Sequence, residues 1–102
     1  MTRPQDPVPA PVTPKNEWCV LVEEHTHSDG TNWIVSDIRS FPTREAAQLD
    51  GAMMARKYQP RHPMSERGRR IMRTGEDVWT VLVEGRMKTY HFRLTVAKEE
   101  QP

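Results

Sequence analysis

The chain has 102 residues, enough for one domain, and its 15 basic and 14 acidic residues leave a formal net charge of +1, which argues against a protein that coats nucleic acid or membrane with its whole surface. Its one cysteine, Cys19, rules out an internal disulfide and a thiolate zinc site, and no apolar run approaches the roughly 20 residues of a membrane span. With no apolar segment of the secretory type at the N-terminus either, the expected location is the cytoplasm.

Residues 1–15 read as a disordered, proline-rich leader, because five of the nine prolines stand at positions 4, 7, 9, 11 and 14 among almost no large apolar side chains. Pro4 with Pro7, and Pro11 with Pro14, satisfy the P-x-x-P spacing of peptides that dock on aromatic grooves, though any proline-rich leader produces it. Residues 16–98 are the expected single domain, and 99–102 a disordered end. A domain this small buries little more than ~60% of its unfolded surface, which leaves scant stability for a deep catalytic cavity. An enzyme is therefore disfavoured.

From residue 17 the pattern EWCVLVEEH is rich in β-branched and aromatic residues and carries apolar side chains on both faces, so it predicts a strand. Asp29-Gly30 marks a turn, and NWIVSDIRSF predicts the partner strand of a hairpin. Pro42 ends that pairing, Thr43 stands at an N-cap position, and residues 44–58 predict a helix with Glu45 near its positive end. Ala46, Leu49 and Met53 recur at three- and four-residue spacing with Ala52 beside them, and this stripe is expected to pack on the sheet.

Pro60 and Pro63 close the helix, and RRIMRT predicts a short, weakly alternating strand. DVWTVLVEG places Trp79, Val81 and Val83 on one face, and TYHFRLTVA alternates Tyr90, Phe92, Leu94 and Val96 against His91, Arg93 and Thr95. The expected fold class is α+β: a two-layer sandwich with an antiparallel sheet of four to five strands, in the order β-β-α-β-β-β, and one helix packed on one face.

The sheet face away from the helix is expected to keep an apolar surface. Depending on which way the first hairpin turns, either Cys19, Leu21, Ile34 and Ile38 or Trp18, Val20, Val22, Trp33 and Val35 are left there, with Leu82 in the same layer. A patch of this kind on a small domain suggests a contact surface, either for a second copy in a homodimer or for a protein partner, with Cys19, Leu21, Ile34, Ile38 and Leu82 as the candidate interface.

The second candidate site is electrostatic. Seven of the fifteen basic residues, Arg56, Lys57, Arg61, Arg67, Arg69, Arg70 and Arg73, fall in one stretch opposed only by Glu66. Arg56 and Lys57 are accounted for by the negative end of the helix dipole. Arg69 and Arg73 are expected to share a strand face with Ile71, and Arg70 to point the other way with Met72. The residues expected to meet an acidic protein surface or phosphates are Arg61, Arg67, Arg69, Arg70 and Arg73. No helix-turn-helix, zinc-finger spacing or aromatic RNA-binding signature accompanies them.

Other chemistry has less to stand on. His25 and His27 are spaced to share a strand face and could be joined by His62 or His91 at a metal, but they border a Ser-Asp-Gly turn and lack a fourth ligand of fixed spacing. Cys19 lies mid-strand between Trp18 and Val20, where a thiol behaves as a small buried hydrophobe and not as a nucleophile. The acidic pairs Glu23-Glu24, Glu76-Asp77 and Glu99-Glu100 read as hydrated surface. No G-x-S-x-G, H-E-x-x-H, Walker or G-x-G-x-x-G signature occurs, and no cofactor or catalytic residue is implied.

W-x-V-x-V from Trp18, F-x-T-R-E-A over residues 41–46 and H-F-R-L-T-V-A over 91–97 resemble a group of short actinobacterial proteins to which no activity is assigned. The resemblance spans the folded part and implies a small cytosolic single domain, with no cofactor or functional residue to carry over. The expected function is a non-catalytic binding or regulatory module. It would contact an acidic protein surface through the basic loop and self-associate through the open sheet face. Nucleic-acid binding through the same arginines is the alternative, and a small-molecule-binding dimer or small enzyme the second.

Overall fold

The computed structural model describes residues 16–25, 32–61 and 65–102. Five strands form one antiparallel sheet: β1 (Trp18–His25), β2 (Trp33–Phe41), β3 (Gly68–Gly75), β4 (Val78–Glu84) and β5 (Thr89–Lys98). Their spatial order is β2-β1-β5-β4-β3, and the helix α1 (Arg44–Lys57) lies between β2 and β3 in the chain. The fold is thus α+β with one helix on one sheet face, and the weakly alternating segment after Pro63 is a full eight-residue edge strand.

One face of the three central strands carries the core. Val20 and Val22 from β1, Trp79, Val81 and Val83 from β4, and Phe92, Leu94 and Val96 from β5 pack against Ala47, Met54 and Ala55 of α1. The β-branched valines suit a strand buried on this face, as the alternation in β4 and β5 predicts.

The helix starts where its capping residue says it should. Thr43 has extended backbone (φ −135°, ψ 157°), and its hydroxyl accepts the Ala46 amide at 3.1 Å. Two polar clamps hold the helix to the sheet. Arg39 on β2 donates to both carboxylate oxygens of the buried Asp50, at 2.8 and 3.0 Å. Asp77, before β4, accepts Arg44 at 2.9 Å and Gln48 at 2.8 Å.

The roll of α1 departs from the sequence expectation. Its buried residues are Ala47, Asp50, Gly51, Met54 and Ala55, whereas Leu49 and Met53 face solvent at 76% and 45% exposure. The reason is room. Trp79 occupies the space beneath Gly51, so the face that carries Gly51 between Ala47 and Ala55 is the one that can come close to the sheet.

A second departure comes from a bulge in the first hairpin. Between Trp18 and Val22 the register pairs Leu21 with Ile38 and Val20 with Arg39; one residue is then gained on β2, and Glu23 pairs with Val35 and Glu24 with Ile34. Directly paired residues share a face. Ile34 therefore lies on the helix side with Glu24, and Trp33 and Val35 join Leu21 and Ile38 on the open side. Neither of the two expected face sets is intact, since the bulge exchanges members between them.

Candidate binding surfaces

The basic stretch is dispersed by the fold. Arg69 is the clearest case: only 9% of its side chain is exposed, and its guanidinium donates to the carbonyls of Ala55 and Tyr58 at 2.9 and 2.8 Å. It also pairs with both carboxylate oxygens of Glu66 at 2.6 and 2.8 Å, and lies 5.5 Å from the centre of the Phe92 ring. It thus satisfies carbonyls left over at the C-terminal end of α1 and seals that end of the core. The Arg69 bond holds the Glu66 carboxyl below its usual range. Arg69 is an internal cap: it commits four donors to Glu66, Ala55 and Tyr58 and is too buried to offer its guanidinium fork to an external phosphate or carboxylate, which runs against its expected role.

Arg73 folds over its own hairpin, donating to the Glu76 carbonyl at 2.6 Å and covering the Trp79 ring at 5.1 Å. Arg56 donates back to the Ala52 carbonyl at 2.7 Å. Arg61 and Arg67 are exposed, and each uses its backbone amide, on Glu24 and on the Glu84 carbonyl respectively. Arg70 pairs with Leu82, so it points to the open face and is exposed. Among the described residues it makes no ion pair. Arg61, Arg67 and Arg70 are what remains available of the expected site.

Three arginines on β3 also have a structural reason to be there. An edge strand exposes unpaired N–H and C=O groups, and charge along it discourages another chain from adding to the sheet. At the opposite edge Asp37 covers the Ile38 amide with its own carboxylate at 2.9 Å.

The open face is the larger surface. Val35 and Ile38 are 54% and 55% exposed there, and Leu21, Leu82 and Met72 are half-buried beside them. At one end β1, β2 and β5 bring together a ring cluster. His25 stacks on His91 with centroids 4.4 Å apart, and Trp33 meets both edge-on at 5.3 and 5.1 Å. Arg93 lies 4.3 Å over the Trp33 ring and donates to Glu23 at 3.2 Å.

This cluster is the group that sequence reasoning missed. His91 and Arg93 alternate visibly on β5, but bringing them to Trp33 and His25 required the bulge and the pairing of β1 with β5.

Cys19 belongs to the open face, paired with Ser40 and Ala97, but it is 8% exposed and contributes little contact surface. Burial, with the nearby charge of Glu99, pushes its thiol up, so it stays protonated near neutrality. His27 and His62 lie outside the described residues. Among the described residues no three His, Cys, Asp or Glu gather as metal ligands, and no helix is long and apolar enough to cross a membrane. Comparison with protein-family models, with curated proteins and with solved structures finds no match for this chain.

Proposed function

We propose that this chain is a small non-catalytic binding module whose open sheet face receives a protein partner with an acidic surface. One observation carries the reading: among the described residues no element covers the sheet face opposite α1, which combines the well-exposed Val35 and Ile38 with Arg70, balanced by no described carboxylate. Apolar anchors on β2, with an unbalanced guanidinium on β3 at the far edge of the same face, suit a complementary acidic partner, and Arg61 and Arg67 add long-range attraction. A second copy at the same face is less favoured, because self-pairing brings the face's arginines near one another while Glu23 is already engaged by Arg93. The single cysteine accords with a cytoplasmic setting.

Nucleic acid is the second reading, supported by the His25, Trp33 and His91 rings with Arg93 on an open antiparallel sheet, a surface on which single-stranded bases can stack. Affinity capture from the native host at moderate salt, with and without nuclease, separates the two. A protein retained after nuclease by the native chain and lost with Ile38→Glu and Arg70→Glu supports the module reading. Material released by nuclease supports the second. Capture that survives nuclease and is unaffected by either substitution sinks both.

A further inference from the structure

Helix α1 turns its two largest exposed apolar side chains away from the rest of the protein. Leu49 is 76% exposed and Met53, one turn later, 45%. Scattered exposed apolar residues are ordinary on protein surfaces. These two are ordered along one stripe with the half-buried Ala46 and Ala52, at the three- and four-residue spacing of a helix–helix seam.

The ends of the stripe carry opposite charge. Glu45 lies in the first turn, and Arg56 and Lys57 lie in the last. We propose that this face of α1 pairs with the same face of a second copy, the two helices antiparallel about a twofold axis near Gly51 and Ala52. An axis that sets Leu49 against Met53 of the second copy also sets Glu45 against its Lys57 and Ala46 beneath its Arg56. The twofold axis makes each of these contacts occur twice. Parallel pairing would instead oppose Glu45 to Glu45 and cation to cation, so the charges select the antiparallel arrangement.

The pairing gives the outward stripe a partner: contact with Trp79 turns Ala47, Asp50, Gly51, Met54 and Ala55 inward and leaves Leu49 and Met53 facing out. It is independent of the partner reading on the opposite side of the sheet. It also has a consequence for that reading, since a dimer through α1 leaves two open sheet faces directed outward and can hold two copies of a ligand or one bivalent ligand. With 14 residues the helix spans only ~21 Å, so a reversible equilibrium is expected and not an obligate dimer.

Sedimentation equilibrium of the full chain, over a series from micromolar to millimolar, tests the pairing. The native chain should interconvert between monomer and dimer. Leu49→Glu, at an exposed position that leaves the urea midpoint in place, should weaken association at least ~10-fold, and Ile38→Glu on the sheet face should leave it unchanged. Glu45→Lys alone should weaken it, and combining it with Arg56→Glu and Lys57→Glu should restore it. Damage to the helix dipole from these changes would add, so recovered association requires the charges to meet across the seam. A native chain that stays monomeric throughout overturns the proposal. So does association that survives Leu49→Glu, or a charge exchange that fails to recover it while circular dichroism shows the helix intact.

Discussion

The indole of Trp79 stands where a β-carbon on Gly51 would be: an ideal Cβ there would meet Trp79 Cζ3 at 2.7 Å. Trp79 is 4% exposed and locked among core residues, so it has little freedom to yield. The contact sets the height and roll of α1, with Ala47 and Ala55 one turn to either side completing a shallow face.

Gly51→Ala should therefore destabilise the protein by about 1–3 kcal/mol, the usual cost of overpacking a filled core. In an unobstructed helix the same change gains up to ~1 kcal/mol. Urea unfolding followed by tryptophan fluorescence decides the sign, and a stabilised variant would mean that α1 is not held this close.

Arg69 and Arg70 are neighbours with opposite burial, and their substitutions should differ accordingly. Arg69→Ala leaves the Ala55 and Tyr58 carbonyls and Glu66 without their donor and should cost about 2–4 kcal/mol. Arg69→Lys should recover little, since an ammonium lacks the planar fork that reaches three acceptor groups. Arg70→Ala should leave the urea midpoint where it is. Faster amide exchange in the last turn of α1 should accompany only the Arg69 variants.

Tyr58 and Glu24 predict the pH profile. Burial, with the bond to and charge of Glu24, pushes the Tyr58 phenol up to about 12 from an ordinary 10.0. A pKa raised by folding means stability that is whole below pH 10 and declines as pH rises toward 12. Burial pushes the Glu24 carboxyl up, but bonds from Tyr58, Ser36 and the Arg61 amide, with the Arg61 charge, outweigh it and hold it low. A pKa lowered by folding means stability present above the ordinary 4.5 and lost as pH falls through the folded value. Tyr58→Phe should flatten the alkaline limb and move the acid limb to higher pH. Urea midpoints measured from pH 3 to pH 12 check both, and unchanged limbs would show that the 2.6 Å bond contributes nothing in solution.

The Arg39 clamp should show an asymmetry. Arg39→Ala strands the 5% exposed Asp50 carboxylate, but the guanidinium is itself 41% exposed and solvent screens the pair, so the expected loss is about 1–3 kcal/mol. Asp50→Ala should cost less than Arg39→Ala, because the released guanidinium can turn to water. A double-mutant cycle read by urea unfolding measures the coupling, and equal single losses with none between them would contradict the clamp.

Much of the architecture is legible in local pattern. The alternation of Trp79, Val81 and Val83, and of Phe92, Leu94 and Val96, names the buried face of β4 and β5, and Thr43 marks the start of α1. The basic stretch was visible as composition but not as geometry. Nothing local to Arg69 distinguishes it from Arg70 in burial depth, because its acceptors belong to α1 and to the loop after it.

The sequence by itself determined the elements, their order and the α+β class, since capping, turn chemistry and two-residue alternation act over a few neighbouring positions. Tertiary structure decided the rest: which stripe of α1 faces in, which arginines stay available, and which residues of β2 reach the open face. The physical reason is that each outcome depends on a partner distant in the chain. Trp79 admits the Gly51 face of α1, the carbonyls of Ala55 and Tyr58 claim Arg69, and the bulge after Val22 carries Ile34 to one side of the sheet and Trp33 to the other.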